Sequence, residues 1–90
     1  MREREVEQYF IRRVREHGGL QYKFVSPGHR GVPDRIVIFE SRVFMVELKA
    51  PGKVLRPEQE REHKRLNAHG QATWVISTKD EVDYFLKRYV

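Results

Sequence analysis

Gly31-Val32-Pro33-Asp34-Arg35-Ile36-Val37-Ile38-Phe39, followed after Glu40-Ser41 by Arg42-Val43-Phe44-Met45-Val46-Glu47-Leu48-Lys49, is the stretch that decides how this chain folds. Residues 35–39 and 42–46 are runs of β-branched and aromatic residues parted by two residues, the pattern of a tight antiparallel hairpin. The second run continues through Glu47 to Lys49. With a two-residue period, Glu47 and Lys49 share one face of that strand, and Phe44, Val46 and Leu48 share the other. Asp34 stands at the entrance to the first strand, so hairpin pairing brings it opposite the region of Glu47. Two carboxylates about 4 Å apart repel by roughly 4 kcal/mol at an effective dielectric near 20, and each is costly to desolvate. A bound divalent cation relieves both costs. Carboxylate oxygens with open water positions suit magnesium or manganese, and Lys49 is placed to orient or deprotonate a water, or to offset charge on a phosphate.

Upstream of the hairpin, residues 2–17 read as an amphipathic helix with Val6, Phe10, Ile11 and Val14 on one side, stopped by Gly18-Gly19. Glu7 falls inside the apolar arc at about 100° per residue, and so does Glu3. An inward Glu is either paired with an inward Arg or available as a third carboxylate for the Asp34–Glu47 site. Glu3, one turn earlier and next to the fraying terminus, is the lesser candidate. Residues 20–25 alternate as a half-buried or edge strand does. Residues 26–33 form a loop whose glycines allow close approach of a ligand, and whose Pro33 fixes the backbone before Asp34. His29 and Arg30 sit at its tip, Arg30 as a phosphate contact.

Downstream, Pro51 ends the strand and Pro57 opens a helix reaching about His69, with Gly70 after it. That helix is poor in apolar residues; Gln59, His63 and Leu66 share the side that faces the sheet. Residues 72–77 make a fourth strand, parallel to the Glu47 strand through a crossover. Thr78 and Glu81 resemble a capping box, and Val82, Phe85, Leu86 and Tyr89 form the apolar stripe of a last helix. Trp74 and the tyrosines read as core residues rather than base-stacking platforms. The order α-β-β-β-α-β-α predicts one small α/β domain over residues 1–90, a mixed four-stranded sheet flanked by helices.

Twelve Arg and six Lys against 13 acidic residues give a net charge of +5, a balance that favours a polyanionic partner because the guanidinium fork matches phosphate oxygens. With no Cys there is neither a disulfide nor a thiolate metal site. No apolar run has the length of a membrane span and no signal segment opens the chain, so the expected place is the cytoplasm. A basic chain that gathers carboxylates at one spot is arranged to draw in a phosphate backbone and hold a metal against it.

Pro33-Asp34 with Glu47-Leu48-Lys49, preceded by an acidic residue on a helix, resembles the PD-(D/E)XK nuclease superfamily. The Gly31-Val32-Pro33-Asp34 lead-in, the run Gly52-Lys53-Val54-Leu55-Arg56-Pro57-Glu58-Gln59 and Gly70 before the last strand are similar to the VRR-NUC family within it, over nearly the whole chain. The resemblance implies a restriction-endonuclease-like fold and a magnesium- or manganese-dependent phosphodiesterase. It implies metal ligation by Asp34, Glu47 and the Leu48 carbonyl, with Glu7 completing the acidic cluster directly or through water. Lys49 orients the attacking water, and Gln59 supports Lys49 or touches the phosphate. Arg30, Lys53 and Arg56 are the expected DNA contacts. It further implies a bacterial or phage protein that cuts branched DNA, most simply as a homodimeric Holliday junction resolvase. The segment after Asp34 departs from the Val-Arg-Arg signature, which leaves a nicking or less structure-selective nuclease as the alternative within the enzyme class. A non-catalytic nucleic-acid-binding module is the alternative outside it.

Overall fold

The computed structural model describes residues 1–89. The elements are α1 (Glu3–Glu16), β1 (Leu20–Lys23), β2 (Arg35–Phe39), β3 (Arg42–Leu48), α2 (Pro57–Ala68), β4 (Thr73–Ile76) and α3 (Lys79–Tyr89), in the expected order. They form one four-stranded sheet in the order β1-β2-β3-β4. β1 and β2, and β2 and β3, pair antiparallel; β3 and β4 pair parallel across the α2 crossover. β3 is therefore an interior strand, with neighbours on both sides.

The hairpin turn is the two residues Glu40 and Ser41, at φ 44° and 71°. Both positive values fit the tight turn whose twist matches the flanking strands, although neither residue is the usual Asn or Gly. Phe39 pairs with Arg42 across it, and the register runs on to Arg35 opposite Val46, so Asp34 faces Glu47 at the next step. β1 stops at Lys23, two residues before the end the sequence predicts. Phe24 N–H still donates to the Asp34 carbonyl at 2.7 Å, and the chain then turns at Ser26.

One face of the sheet carries Val37, Phe39, Phe44, Val46, Leu48 and Ile76, packed under Val6, Phe10 and Val14 of α1 and Val82, Phe85 and Leu86 of α3. At roughly 1.5–3 kcal/mol for each buried side chain, this face supplies most of the apolar stabilisation. Trp74 and Tyr89 belong to it, the indole meeting both Phe85 and Tyr89 edge-on at 5.3 Å between ring centres, as the core reading expects, whereas Tyr22 and Tyr84 depart from that reading and are exposed. At the start of α3, Glu81 N–H donates to Thr78 Oγ1 at 3.1 Å. The Glu81 carboxylate turns back to Ser77 N–H and its hydroxyl rather than to the Thr78 N–H, a variant of the expected box.

The opposite face reads across the strands in rows: Leu20, Ile38 and Val43; then Tyr22, Ile36, Met45 and Thr73; then Glu47 and Val75. The acidic row ends an otherwise uncharged face, and α2 lies over that end. Gly31 holds the 26–34 loop against the start of α2: its φ is +93°, and an added Cβ would lie 2.3 Å from the Glu58 carbonyl oxygen. Replacing Gly31 with Ala is expected to cost more than about 2 kcal/mol, because strain and a backbone clash add. Urea denaturation of the two proteins measures it; an unchanged midpoint would show that the loop does not need this contact.

Candidate active site

β3 delivers Glu47 to the interior, 3 % exposed, on the face turned to α2. Its Oε2 accepts a hydrogen bond from Gln59 Nε2 at 3.2 Å and lies 3.7 Å from Lys49 Nζ. Gln59 is anchored in turn, its Oε1 accepting the Arg56 N–H at 2.9 Å at the N-terminus of α2. The amide thus joins the helix start to the carboxylate. Asp34 Oδ2 accepts the Leu48 N–H at 3.0 Å, which fixes that carboxylate on the strand beside Glu47. Asp34, Glu47, Lys49 and Gln59, four side chains singled out from the sequence, are held together by β2, β3 and α2.

Glu47 Oε1 is buried and has no hydrogen-bond partner. Burial, reinforced by the negative charge of Asp34 and by the hydrogen bond that the neutral carboxyl makes with it, and opposed by the Lys49 ammonium, pushes the Glu47 carboxyl up to about 8, so Oε1 lacks a partner only in the ionised state; Glu3 adds a smaller push in the same sense. A carboxylate that resists ionisation and leaves one oxygen unsatisfied fits a cation site whose counter-charge comes from a ligand. Among the described residues, no three His, Asp or Glu side chains are gathered to hold a metal by themselves. Two carboxylates with room for main-chain and water oxygens still suit a hard divalent ion.

No family model matches the chain. A solved VRR-NUC domain superposes with a TM-score of 0.90 at 31 % identity, covering 98 % of this chain and 97 % of that one. A phage protein, "Putative nuclease p44" of Acyrthosiphon pisum secondary endosymbiont phage 1, is 47 % identical over 81 residues, spanning 89 % of this chain and 87 % of that protein. This chain belongs to the VRR-NUC nuclease family. The family resemblance is borne out, and with it the fold.

Around the VRR-NUC centre the other expected residues are more dispersed. Glu7 does not join Asp34 and Glu47: its Oε2 lies 3.1 Å from Arg35 Nη2, the inward-Arg pairing left open by the sequence. Arg35 also donates to Gln21 Oε1 at 3.0 Å, so Glu7 belongs to a network under α1, on the sheet face away from Glu47. The α1 carboxylate whose charge reaches Glu47 is Glu3. Arg30 is exposed beside Arg61 and Arg65, lining a surface cavity of about 340 Å³ with His29, Glu58 and Glu62. Lys53 and Arg56 are exposed on the 50–56 loop, Arg56 against Glu58 at 3.1 Å.

Sequence reading passed over Glu62, which is 8 % exposed and meets His29 Nε2 at 2.6 Å. The signal was its place three residues after Gln59, on the flank of the same helix face.

The raised pKa of Glu47 has a direction in stability. Because the folded value lies above the ordinary 4.5, the neutral carboxyl stabilises the fold at low pH, and that contribution is lost as pH rises toward and through about 8. Thermal melts in chelator from pH 5 to pH 9 are therefore expected to fall by more for the wild type than for Glu47→Gln. Equal pH slopes for the two proteins would contradict a buried, proton-binding Glu47.

Proposed function

We propose that this protein is a metal-dependent endonuclease that hydrolyses phosphodiester bonds in branched DNA, acting as a homodimer in the manner of a Holliday junction resolvase. The observation that carries the reading is the buried, half-unsatisfied Glu47 beside Asp34 and Lys49 on an interior strand. The name of the phage relative agrees with a nuclease in a phage or bacterial setting. Among the described residues, no helix is long and apolar enough to cross a membrane.

Asp34, Glu47 and the Leu48 carbonyl would hold magnesium or manganese, with Glu3, the α1 carboxylate whose charge reaches Glu47, contributing through water. When bound, the ion offsets the two carboxylates, lowers the pKa of a coordinated water and polarises the phosphate. The chain's own groups do the rest. Lys49 offers its ammonium to the water or to charge building on the phosphate, while Gln59 keeps Glu47 Oε2 turned toward it. Arg30, Lys53 and Arg56 hold the backbone on either side of the site, a contribution that weakens with salt.

Asp34→Ala, Glu47→Ala and Lys49→Ala are each expected to abolish cleavage of a labelled immobile four-way junction while leaving the protein folded and able to bind it. The measurement is a denaturing gel of products in magnesium, manganese and chelator, with linear duplex and single strands in parallel. Metal-dependent, paired, symmetric cuts confined to the junction support the resolvase reading. Cuts on every substrate point to a less selective or nicking enzyme. Binding without cleavage in any metal leaves only the binding module.

The pairing of two copies is supported by the open sheet face, where Leu20, Tyr22, Val43 and Val75 are 39–56 % exposed and no charged side chain interrupts the first two rows. Two chains of +5 repel least where neither carries charge. Light scattering should find a dimer for the wild type and a monomer for Tyr22→Lys combined with Val43→Lys. A wild type that is monomeric at tens of micromolar would overturn the pairing.

A further inference from the structure

α2 brings a second polar side chain to the active-site face. His63 lies one turn after Gln59 on the same stripe, is 5 % exposed, and its Nε2 is buried without a hydrogen-bond partner. Two other buried orphans, Arg13 Nε and Arg35 Nε, belong to guanidinium groups held by other contacts: Arg13 Nη1 donates to Glu16 and its Nε lies 3.5 Å from Asp83, while Arg35 reaches Gln21 through Nη1 and Glu7 through Nη2. Glu47 Oε1 and His63 Nε2 remain, and both come from the elements that build the Asp34–Lys49 centre. The adjacent Glu62 does not serve His63, its carboxylate being turned to His29 and Arg65.

An unsatisfied buried polar atom costs about 1–3 kcal/mol, so its persistence at a charged centre marks a place where a ligand completes the bond. The ring is also within the field of that centre. Burial lowers its pKa; among the smaller effects, the Glu62 carboxylate and then that of Asp34 favour its charge and the Lys49 ammonium opposes it. A neutral imidazole is the donor this centre lacks. Lys49 is drawn to Glu47, and a second cation there would neutralise the carboxylates needed for the metal. A neutral N–H accepts neither role, yet hydrogen-bonds an anionic oxygen.

We infer that His63 is a substrate-contacting residue whose Nε2–H donates to a phosphate oxygen of the DNA strand held beside Asp34 and Lys49. This rests on the nuclease reading for its substrate, and goes beyond it in assigning a phosphate contact to the middle of α2.

The test compares the full-length wild type with His63→Gln, which keeps a side-chain donor, and His63→Leu, which fills the space without one. Affinity for the four-way junction is measured in chelator, and kcat and KM in magnesium, well below the melting temperature of each variant. His63→Leu is expected to weaken binding and raise KM by about tenfold, the worth of a hydrogen bond to a charged group, and His63→Gln to recover most of both. A folded His63→Leu with wild-type affinity and KM overturns the contact, as does equal impairment of the two variants, the mark of a packing residue. If the wild type binds the junction but cuts nothing, the nuclease reading fails, and the affinities in chelator still decide the role of His63.

Discussion

Two carboxylates set opposite each other at the open end of a β-hairpin, Asp34 and Glu47, impose the constraint that the rest of the domain answers. A central strand is a poor place for an acid: its neighbours exclude water, and charge there is disfavoured. The chain keeps Glu47 in place by surrounding it with specific groups rather than by exposing it. Gln59 donates to one oxygen, Lys49 stands 3.7 Å from it, and the Leu48 N–H holds Asp34 in position. The other Glu47 oxygen is left open.

The crossover helix α2 matters more for chemistry than for core volume. It buries Gln59, Glu62 and His63 where an ordinary helix would bury leucines. Such a helix is weakly driven onto the sheet by apolar contact, so its seat depends on backbone fit and on polar bonds. Gly31 supplies the fit at Glu58, and Gln59 supplies the bond to Glu47. The loop that leads into Asp34 and the helix that carries Gln59 are thereby located relative to each other by direct contact.

The sheet divides the labour between its faces. Under α1 and α3 lies the closed apolar core, with Glu7, Arg35 and Gln21 as a polar network at its margin. On the other face α2 covers only the acidic end, leaving uncharged rows open. A basic exterior around a small acidic centre attracts a polyanion over long range.

Gln59 entered the site through the family resemblance, but the hairpin, the element order and the grouping of Asp34, Glu47 and Lys49 were determined by the sequence alone. Each of these follows from local rules: a period of two on strands, proline and glycine punctuation, and a short loop that forces neighbours to pair. Only the tertiary structure decided where Glu7 goes. Helical periodicity places its side chain inward but cannot say which face of the sheet lies beneath, and Arg35, one step from Asp34, captures it on the far side. The same limit hid Glu62 and the open Nε2 of His63, because whether a buried polar atom has a partner depends on elements distant in the chain. Periodicity gives direction from an axis; partnership needs the position of every axis at once.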